Sequence, residues 1–331
     1  MYAAFRSVGS YIPKNVLTNE DLEKIVDTSD EWITKRTGIK TRYIASKDES
    51  TSDLGVEAAK VALKRAQLSA KDLDMIICAT ISPDYFCMPS TACMIAKKLG
   101  IENIPAFDIS AACSGFIYIL AMAKSFIESN MFKRILIIGT EKLSAIVDYS
   151  DRTTCVLFGD GAGAAIIEAT KEKDEAIIDI NISSDGKYYD YLITPGCGTN
   201  NPCSKETLKE HTCFMKMKGN ETFKVAVKTL TNDVIDILKK NNIKSEDIDY
   251  FIPHQANYRI LNAVAQALKL QSSQLVITVS KYGNTSSASI PMAMSEIYED
   301  GKLKKGDLML LDAFGGGFTW GSALVPFSPL V

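Results

Sequence analysis

The sequence predicts an α/β protein made of two similar halves, and three observations predict it. A helical stretch, an acidic turn and an apolar strand occur twice in the same order. Each half closes on a glycine-rich segment that runs into an apolar strand. With 331 residues, 46% hydrophobic and 23% charged, the chain can also bury one large core or two fused ones.

The first copy of the phrase is an amphipathic helix from Ser52 to Gln67, with Leu54, Ala58, Val61, Ala62 and Arg65 at helical spacing. It turns through 68–74 into the strand Met75-Ile76-Ile77-Cys78-Ala79-Thr80. The second copy is a helix from Val225 to Asn241, a turn through 243–249, and a strand from Tyr250 that runs into a loop at His254. Laying 69–77 on 244–252 places one acidic turn on the other. The closing segments are Phe158-Gly159-Asp160-Gly161-Ala162-Gly163 and Phe314-Gly315-Gly316-Gly317-Phe318. Duplication accounts for this better than chance. The solvated run Lys171-Glu172-Lys173-Asp174-Glu175 marks the boundary, giving halves 1–171 and 172–331 around one crevice.

The remaining elements follow in order. Val8 to Pro13 ends a first strand, and Thr18-Asn19-Glu20-Asp21-Leu22 caps a helix with acidic residues in its first turn. In 29–39, Trp32 and Arg36 lie four apart on a short helix. They suit either an adenine nucleotide, by stacking and charge, or a buried Trp beside a surface Arg. The short apolar run 105–109 leads through Ser110-Ala111-Ala112-Cys113-Ser114-Gly115 into a helix, 117–127, too uniformly apolar to be anything but buried. Cys113 therefore sits at a strand-to-helix turn among small residues. A helix start favours negative charge, which would lower the thiol from its usual ~8.5. The plainer alternative is a small buried hydrophobe. From Tyr188 to Gly219 periodicity fails, as expected of an irregular excursion or a cover over a pocket. A strand at 275–279 precedes Asn284 in a second small-residue turn. Cys113, His254 and Asn284 all fall at strand ends, the pattern of a nucleophile with polar partners.

Other chemistries fit poorly. A net charge of −3 lacks the positive footprint of a nucleic-acid binder. No apolar run reaches the ~20 residues of a membrane span and Met1 to Ser10 is no signal peptide, so a cytoplasmic protein is expected. Eight cysteines without a C-x-x-C pair, and only two histidines, point to reduced thiols and no metal. Gly159 to Gly163 lacks dinucleotide-fingerprint spacing and enters a strand. Gly315-Gly316-Gly317 serves close packing or offers an N–H to an oxyanion.

Four motifs carry a family resemblance: Ala111-Ala112-Cys113-Ser114-Gly115-Phe116, Pro253-His254-Gln255-Ala256-Asn257, Tyr282-Gly283-Asn284-Thr285-Ser286, and Ala313 to Gly321. They resemble those of β-ketoacyl-[acyl-carrier-protein] synthase III, the initiating condensing enzyme of type II fatty-acid synthesis, across nearly the whole chain. The resemblance implies a thiolase-like fold, a layered αβαβα sandwich of duplicated halves, and a homodimer. It implies that Cys113 takes an acetyl group from coenzyme A. His254 and Asn284 then stabilise the enolate from decarboxylation of malonyl-carrier protein, with the N–H groups of Cys113 and Gly316 as the oxyanion site. Trp32, Arg36, Arg152, Asn220 and Asn257 are implied to hold coenzyme A. Gln255, Ala256, Asn257, Tyr258, Arg259 and Lys224 are implied to meet the acyl carrier protein, and Met88, Leu143, Phe158 and Phe314 to form the acyl pocket. No cofactor is expected beyond these substrates. Three departures stand out: Gln266 and Ala267 replace a basic pair, leaving Lys269 nearest; Met88 replaces a Phe; and 196–203 is longer. The alternatives are a thiolase-fold enzyme of secondary metabolism, a silent carrier-protein binder and a cysteine hydrolase.

Overall fold

Asp74 and Asp249 do the same work in the two halves. In the computed structural model, which describes residues 1–330, Asp74 accepts from the N–H groups of Lys133 and Arg134, and Asp249 from that of Leu308. Each carboxylate thus fastens the start of one strand to the start of its neighbour. The preceding turns match too. Asp72 and Asp247 each accept from the N–H three residues earlier, on Ser69 and Lys244, closing one turn of 3₁₀ helix.

Five strands, β1 (Tyr2–Tyr11), β2 (Met75–Ala79), β3 (Ala106–Ile109), β4 (Arg134–Glu141) and β5 (Gly161–Thr170), form a sheet in the order β1-β5-β4-β2-β3. Four more, β6 (Asp179–Ser184), β7 (Tyr250–Pro253), β8 (Leu308–Gly315) and β9 (Thr319–Pro326), form a second in the order β6-β9-β8-β7. In both sheets the first two junctions are antiparallel and the rest parallel. The strand expected at 275–279 would have completed the second sheet, but only a parallel bridge between Phe251 and Leu275 forms, and Val279–Tyr282 is helical. The Gln255 side-chain amide takes the place of the ladder. It accepts from the N–H groups of Thr278 and Val279 and donates to the carbonyls of Pro253 and Val276.

Among the helices are α1 (Asp30–Thr37), α2 (Thr51–Arg65), α3 (Gly115–Glu128), α4 (Gly219–Lys240), α5 (Tyr258–Ala267) and α6 (Ser289–Glu299). Helices α3 and α6 lie between the sheets, where Phe116, Leu120, Ile290 and Met294 pack with Ile77, Met309 and Leu311. Helix α2 covers the outer face of the first sheet, setting Leu54, Ala58 and Ala62 on Ile76, Cys78 and Leu136. Helices α4 and α5 cover the second, setting Leu230, Val234 and Val264 on Phe251, Leu310 and Leu324. The result is five layers, αβαβα. Alternate residues of β2 point to opposite faces, yet all are buried, because helices cover both.

The stretch expected to be irregular forms a cover. Leu192–Ile193 pairs with Lys216–Met217, and Lys205–Lys209 is a short helix. The cover is tied down by the Met215 N–H on the Ile146 carbonyl (3.0 Å) and by the Asp148 carboxylate, 2.8 Å from His211 Nδ1 and 3.3 Å from Lys216 Nζ. Among the described residues, no helix is long and apolar enough to cross a membrane, and no three acidic, Cys or His side chains converge as metal ligands.

Candidate active site

Two elbows meet at the centre of the molecule. Cys113 lies in the turn Ala112–Ser114 between β3 and α3, and Ser287 lies in the matching turn Ser286–Ala288 before α6. Each turn begins with a non-glycine residue in the left-handed region, Ala112 at φ +45° and Ser286 at φ +50°. That conformation costs roughly 1–3 kcal/mol at each. It is held because a strand of the opposite half presses on each elbow. A Cβ on Gly315 of β8 would stand 2.6 Å from Cys113 N, and one on Gly139 of β4 would stand 2.3 Å from the Ser287 carbonyl oxygen. Only glycine permits those approaches. The two elbows differ in what they present. The Ser287 hydroxyl is spent internally, 2.9 Å from both the Ala79 carbonyl and the Glu141 carboxylate, whereas the Cys113 thiol borders two cavities.

The thiol is 5% exposed, and burial pushes it up to about 12, with the buried Glu141 carboxylate adding to the effect. This reverses the lowering expected from the helix start: desolvation outweighs it in the resting site. Burial likewise pushes His254 down to about 3, so its imidazole is neutral. The ring is set by Ser289 Oγ, 2.6 Å from Nδ1, while Nε2 is buried without a partner. Asn284 is oriented as firmly. Its Oδ1 accepts from the Ser286 N–H (2.8 Å), and its own N–H and carbonyl bond to Leu157 and Gly159. Its Nδ2 is left to donate into the cavity.

One cavity, of about 530 Å³, is a tunnel. It runs from Trp32, Arg36, Lys224 and Arg259 at the surface, past Asn220 and Asn257, to Cys113, His254 and Asn284. Three cations line it and no carboxylate does. The second, of about 210 Å³, is a chamber behind the thiol walled by Ile81, Ile146, Phe158, Leu192, Ile193 and Met215, with Gly316 beside Cys113. Cys113 stands at the junction. Such an arrangement can pass a long polar carrier down one side and store a short apolar group on the other.

The residues expected from sequence distribute as follows. Trp32 and Arg36 share a face of α1, where the Ser29 hydroxyl caps the Trp32 N–H. The guanidinium carbons of Arg36 and Arg152 lie 4.9 and 5.4 Å from the Trp32 ring centroid. Arg152 does not line the tunnel, but holds the Asp27 carbonyl at 2.7 Å. Asn257 caps α5 through the Arg259 N–H and donates to the Arg36 carbonyl, joining the two helices of the mouth. Ala256 lines the tunnel and Tyr258 is exposed at its rim.

Three expectations need correction. Gln255 is 1% exposed with its amide consumed by backbone, so it offers nothing to a macromolecule. Leu143 is wholly buried in the cluster behind Phe158 and Met215 rather than on the chamber wall. Phe314 flanks the tunnel, its ring 4.5 Å from that of Phe318. Met88, expected to act across a dimer interface, is 79% exposed and lies on neither cavity of its own chain. The walls that sequence reading missed are Ile81, Ile146, Leu192, Ile193 and Met215. Three of these, Leu192, Ile193 and Met215, belong to the cover.

Two family models match the chain, both of 3-oxoacyl-[acyl-carrier-protein] synthase III: one over residues 107–186, and its C-terminal part over 238–327. The β-ketoacyl-[acyl-carrier-protein] synthase III of Sulfurimonas denitrificans is 65% identical over 329 residues, 99% of each chain. That of Campylobacter jejuni is 60% identical over 98% of each. Among solved structures, the 3-oxoacyl-[acyl-carrier-protein] synthase III of Aquifex aeolicus superposes with a TM-score of 0.91 at 47% identity, covering 98% of this chain and 100% of that one.

Proposed function

The chain belongs to the β-ketoacyl-[acyl-carrier-protein] synthase III family, and from that premise we propose how its own residues carry out the priming condensation of fatty-acid synthesis. The enzyme is an acyltransferase of the condensing type. The observation that carries the assignment of roles is the position of Cys113, at the junction of a cation-mouthed tunnel and a small chamber walled in large part by apolar side chains, with two neutral donors beside it.

In the first half-reaction Cys113 sulfur attacks the carbonyl of acetyl-coenzyme A. A carbon–sulfur bond forms to Cys113, the bond to coenzyme A breaks, and the thiol proton leaves with the coenzyme A sulfur. The N–H groups of Cys113 and Gly316 hold the oxyanion, and the acetyl group enters the chamber. The adenine end is held at Trp32 with Arg36 and Arg152, and the pantetheine arm passes Asn220 and Asn257. Because Arg152 already rests on Trp32, adenine binding requires that guanidinium to move aside. Its ion pair, to the exposed Asp27, offers little resistance.

In the second half-reaction malonyl-acyl carrier protein enters by the same tunnel. His254 Nε2 and Asn284 Nδ2 donate to its thioester carbonyl, so the enolate left by departing carbon dioxide is stabilised without a charged partner. The enolate carbon attacks the acetyl carbonyl, the bond to Cys113 breaks, the Cys113 thiolate takes a proton from solvent to restore the thiol, and acetoacetyl-carrier protein leaves. No cofactor is called for. Arg36, Lys224 and Arg259 at the mouth would attract an acidic carrier protein, and with Gln266 and Ala267 uncharged, docking rests on those three. A homodimer is supported by β3, which has a strand on one side only, and by Tyr85, Phe86 and Met88, between 50% and 79% exposed on one loop. Met88 would then reach the partner's chamber rather than its own. The eight unpaired thiols fit a reducing cytoplasm.

Intact mass spectrometry after incubation with acetyl-coenzyme A tests the assignment. One acetyl group should appear on the parent protein and none on Cys113→Ala. An unmodified parent, across acetyl, branched and longer donors, would leave Cys113 without its role.

A further inference from the structure

We propose that Ser289 is a positioning residue for the condensation: its hydroxyl decides which nitrogen of His254 carries the proton. The inference rests on the function proposed above, and it starts from hydrogen-bond bookkeeping around one buried oxygen.

Ser289 Oγ has two polar neighbours, His254 Nδ1 at 2.6 Å and the Gln255 N–H at 3.2 Å. The Gln255 N–H can only donate, so it occupies a lone pair of the hydroxyl oxygen. The hydroxyl proton then has one acceptor within reach, Nδ1 of the neutral imidazole. A buried hydroxyl, 2% exposed in the residue as a whole, gives its proton to the acceptor available, since leaving it unpaired costs about 1–3 kcal/mol. Nδ1 is therefore the bare nitrogen and Nε2 carries the hydrogen.

That choice has a direct chemical consequence. Nε2 is buried, has no partner in the protein and borders the tunnel with Cys113 and Asn284. Carrying a hydrogen, it is a second donor beside Asn284 Nδ2, and the two can converge on one oxygen that becomes negative. In the other tautomer a lone pair would face that oxygen and repel it. A carboxylate at the position of Ser289 would accept from Nδ1 and turn Nε2 into a base, as in serine hydrolase triads. A hydroxyl already occupied by a backbone N–H does the opposite. The fold provides it by placing Ser289 as the first residue of α6, directly after the elbow that pairs with the Cys113 elbow. The residue acts through His254 and does not touch substrate.

The acylation half-reaction uses the Cys113 and Gly316 N–H groups and does not need this tautomer, so the two half-reactions should separate. The direct test is nitrogen-15 NMR of the full-length protein labelled at histidine. The chain has two histidines, and His211→Gln assigns the other signal to His254. Nε2 should show the protonated, pyrrole-type shift and Nδ1 the pyridine-type shift; the reverse pattern, or a doubly protonated ring at neutral pH, overturns the proposal. For function, Ser289→Ala should lower acetoacetyl-carrier protein formation from malonyl-carrier protein roughly 10- to 100-fold, the usual cost of losing a group that orients a catalytic imidazole. Acetylation of Cys113 should stay within about twofold, and Ser289→Thr, which keeps the hydroxyl, should restore part of the rate. Equal loss in both half-reactions, or full condensation by Ser289→Ala, would contradict it. The NMR result on the unmodified protein stands by itself if a variant fails to fold. A parent protein that forms no β-ketoacyl product at all would count against the proposed function and not against the tautomer.

Discussion

Cys113 is held as a thiol and His254 as an uncharged imidazole, both by burial, so the resting site contains no ion pair between them. A thiol pushed up to about 12 is almost wholly protonated at neutral pH. Its thiolate fraction rises tenfold per pH unit throughout the range below that value. Alkylation of substrate-free protein by iodoacetamide, read at Cys113 by peptide mass spectrometry, should therefore keep accelerating about tenfold per unit from pH 7 to pH 10. A plateau near pH 7 would mean that the helix start prevails over burial. The sequence showed that Cys113 lies at a strand-to-helix turn, which is a local property. It could not show how deeply that turn lies, because burial there comes from Gly315 and Ser286, more than 170 positions away. His254 and Asn284 were readable as turn residues next to strands. Their fixed orientations were not, since these depend on Ser289 and on the backbone of Ser286.

At the scale of elements, the two central turns are shaped by strands that cross from the opposite half. Gly315 is the case at the Cys113 turn: its missing Cβ would meet the N atoms of Cys113 and Ser114 and the carbonyl of Ala111, all backbone and none able to give way. Gly315→Ala should cost about 1–3 kcal/mol in denaturant unfolding and slow acetylation of Cys113 more than it weakens coenzyme A binding. Gly186→Ala, whose Cβ meets nothing within 4 Å, is the control and should stay within about 0.5 kcal/mol of the parent. A Gly315→Ala protein with parental stability and acetylation would mean that the elbow is softer than its packing implies. Periodicity and the repeated acidic turn made the helices and most strands legible, because Asp72 and Asp247 bond within their own turns. The strand expected at 275–279 failed for a tertiary reason: the Gln255 side chain bonds the backbone that a neighbouring strand would have taken. The chamber wall was hidden because it comes from a cover without periodicity, whose apolar residues acquire meaning only once it folds back over Cys113.

For the molecule as a whole, duplication explains why one crevice receives Cys113, the proposed nucleophile, from one half and His254 and Asn284, the proposed donors, from the other. The free edge of β3 and the apolar loop around Phe86 lead us to expect a dimer in sedimentation equilibrium, and Phe86→Glu with Met88→Glu should convert it to a monomer. A parent protein that sediments as a monomer would contradict that pairing. If one thiol links the two half-reactions, supplying carbon-13-labelled acetyl-coenzyme A with unlabelled malonyl-carrier protein and taking the mass of the carrier-protein product will show it. Acetoacetyl-carrier protein should bear the label in its terminal two carbons and be formed by the parent and not by Cys113→Ala. Labelled free acetate with no β-ketoacyl product, or an undiminished yield from Cys113→Ala, would contradict it.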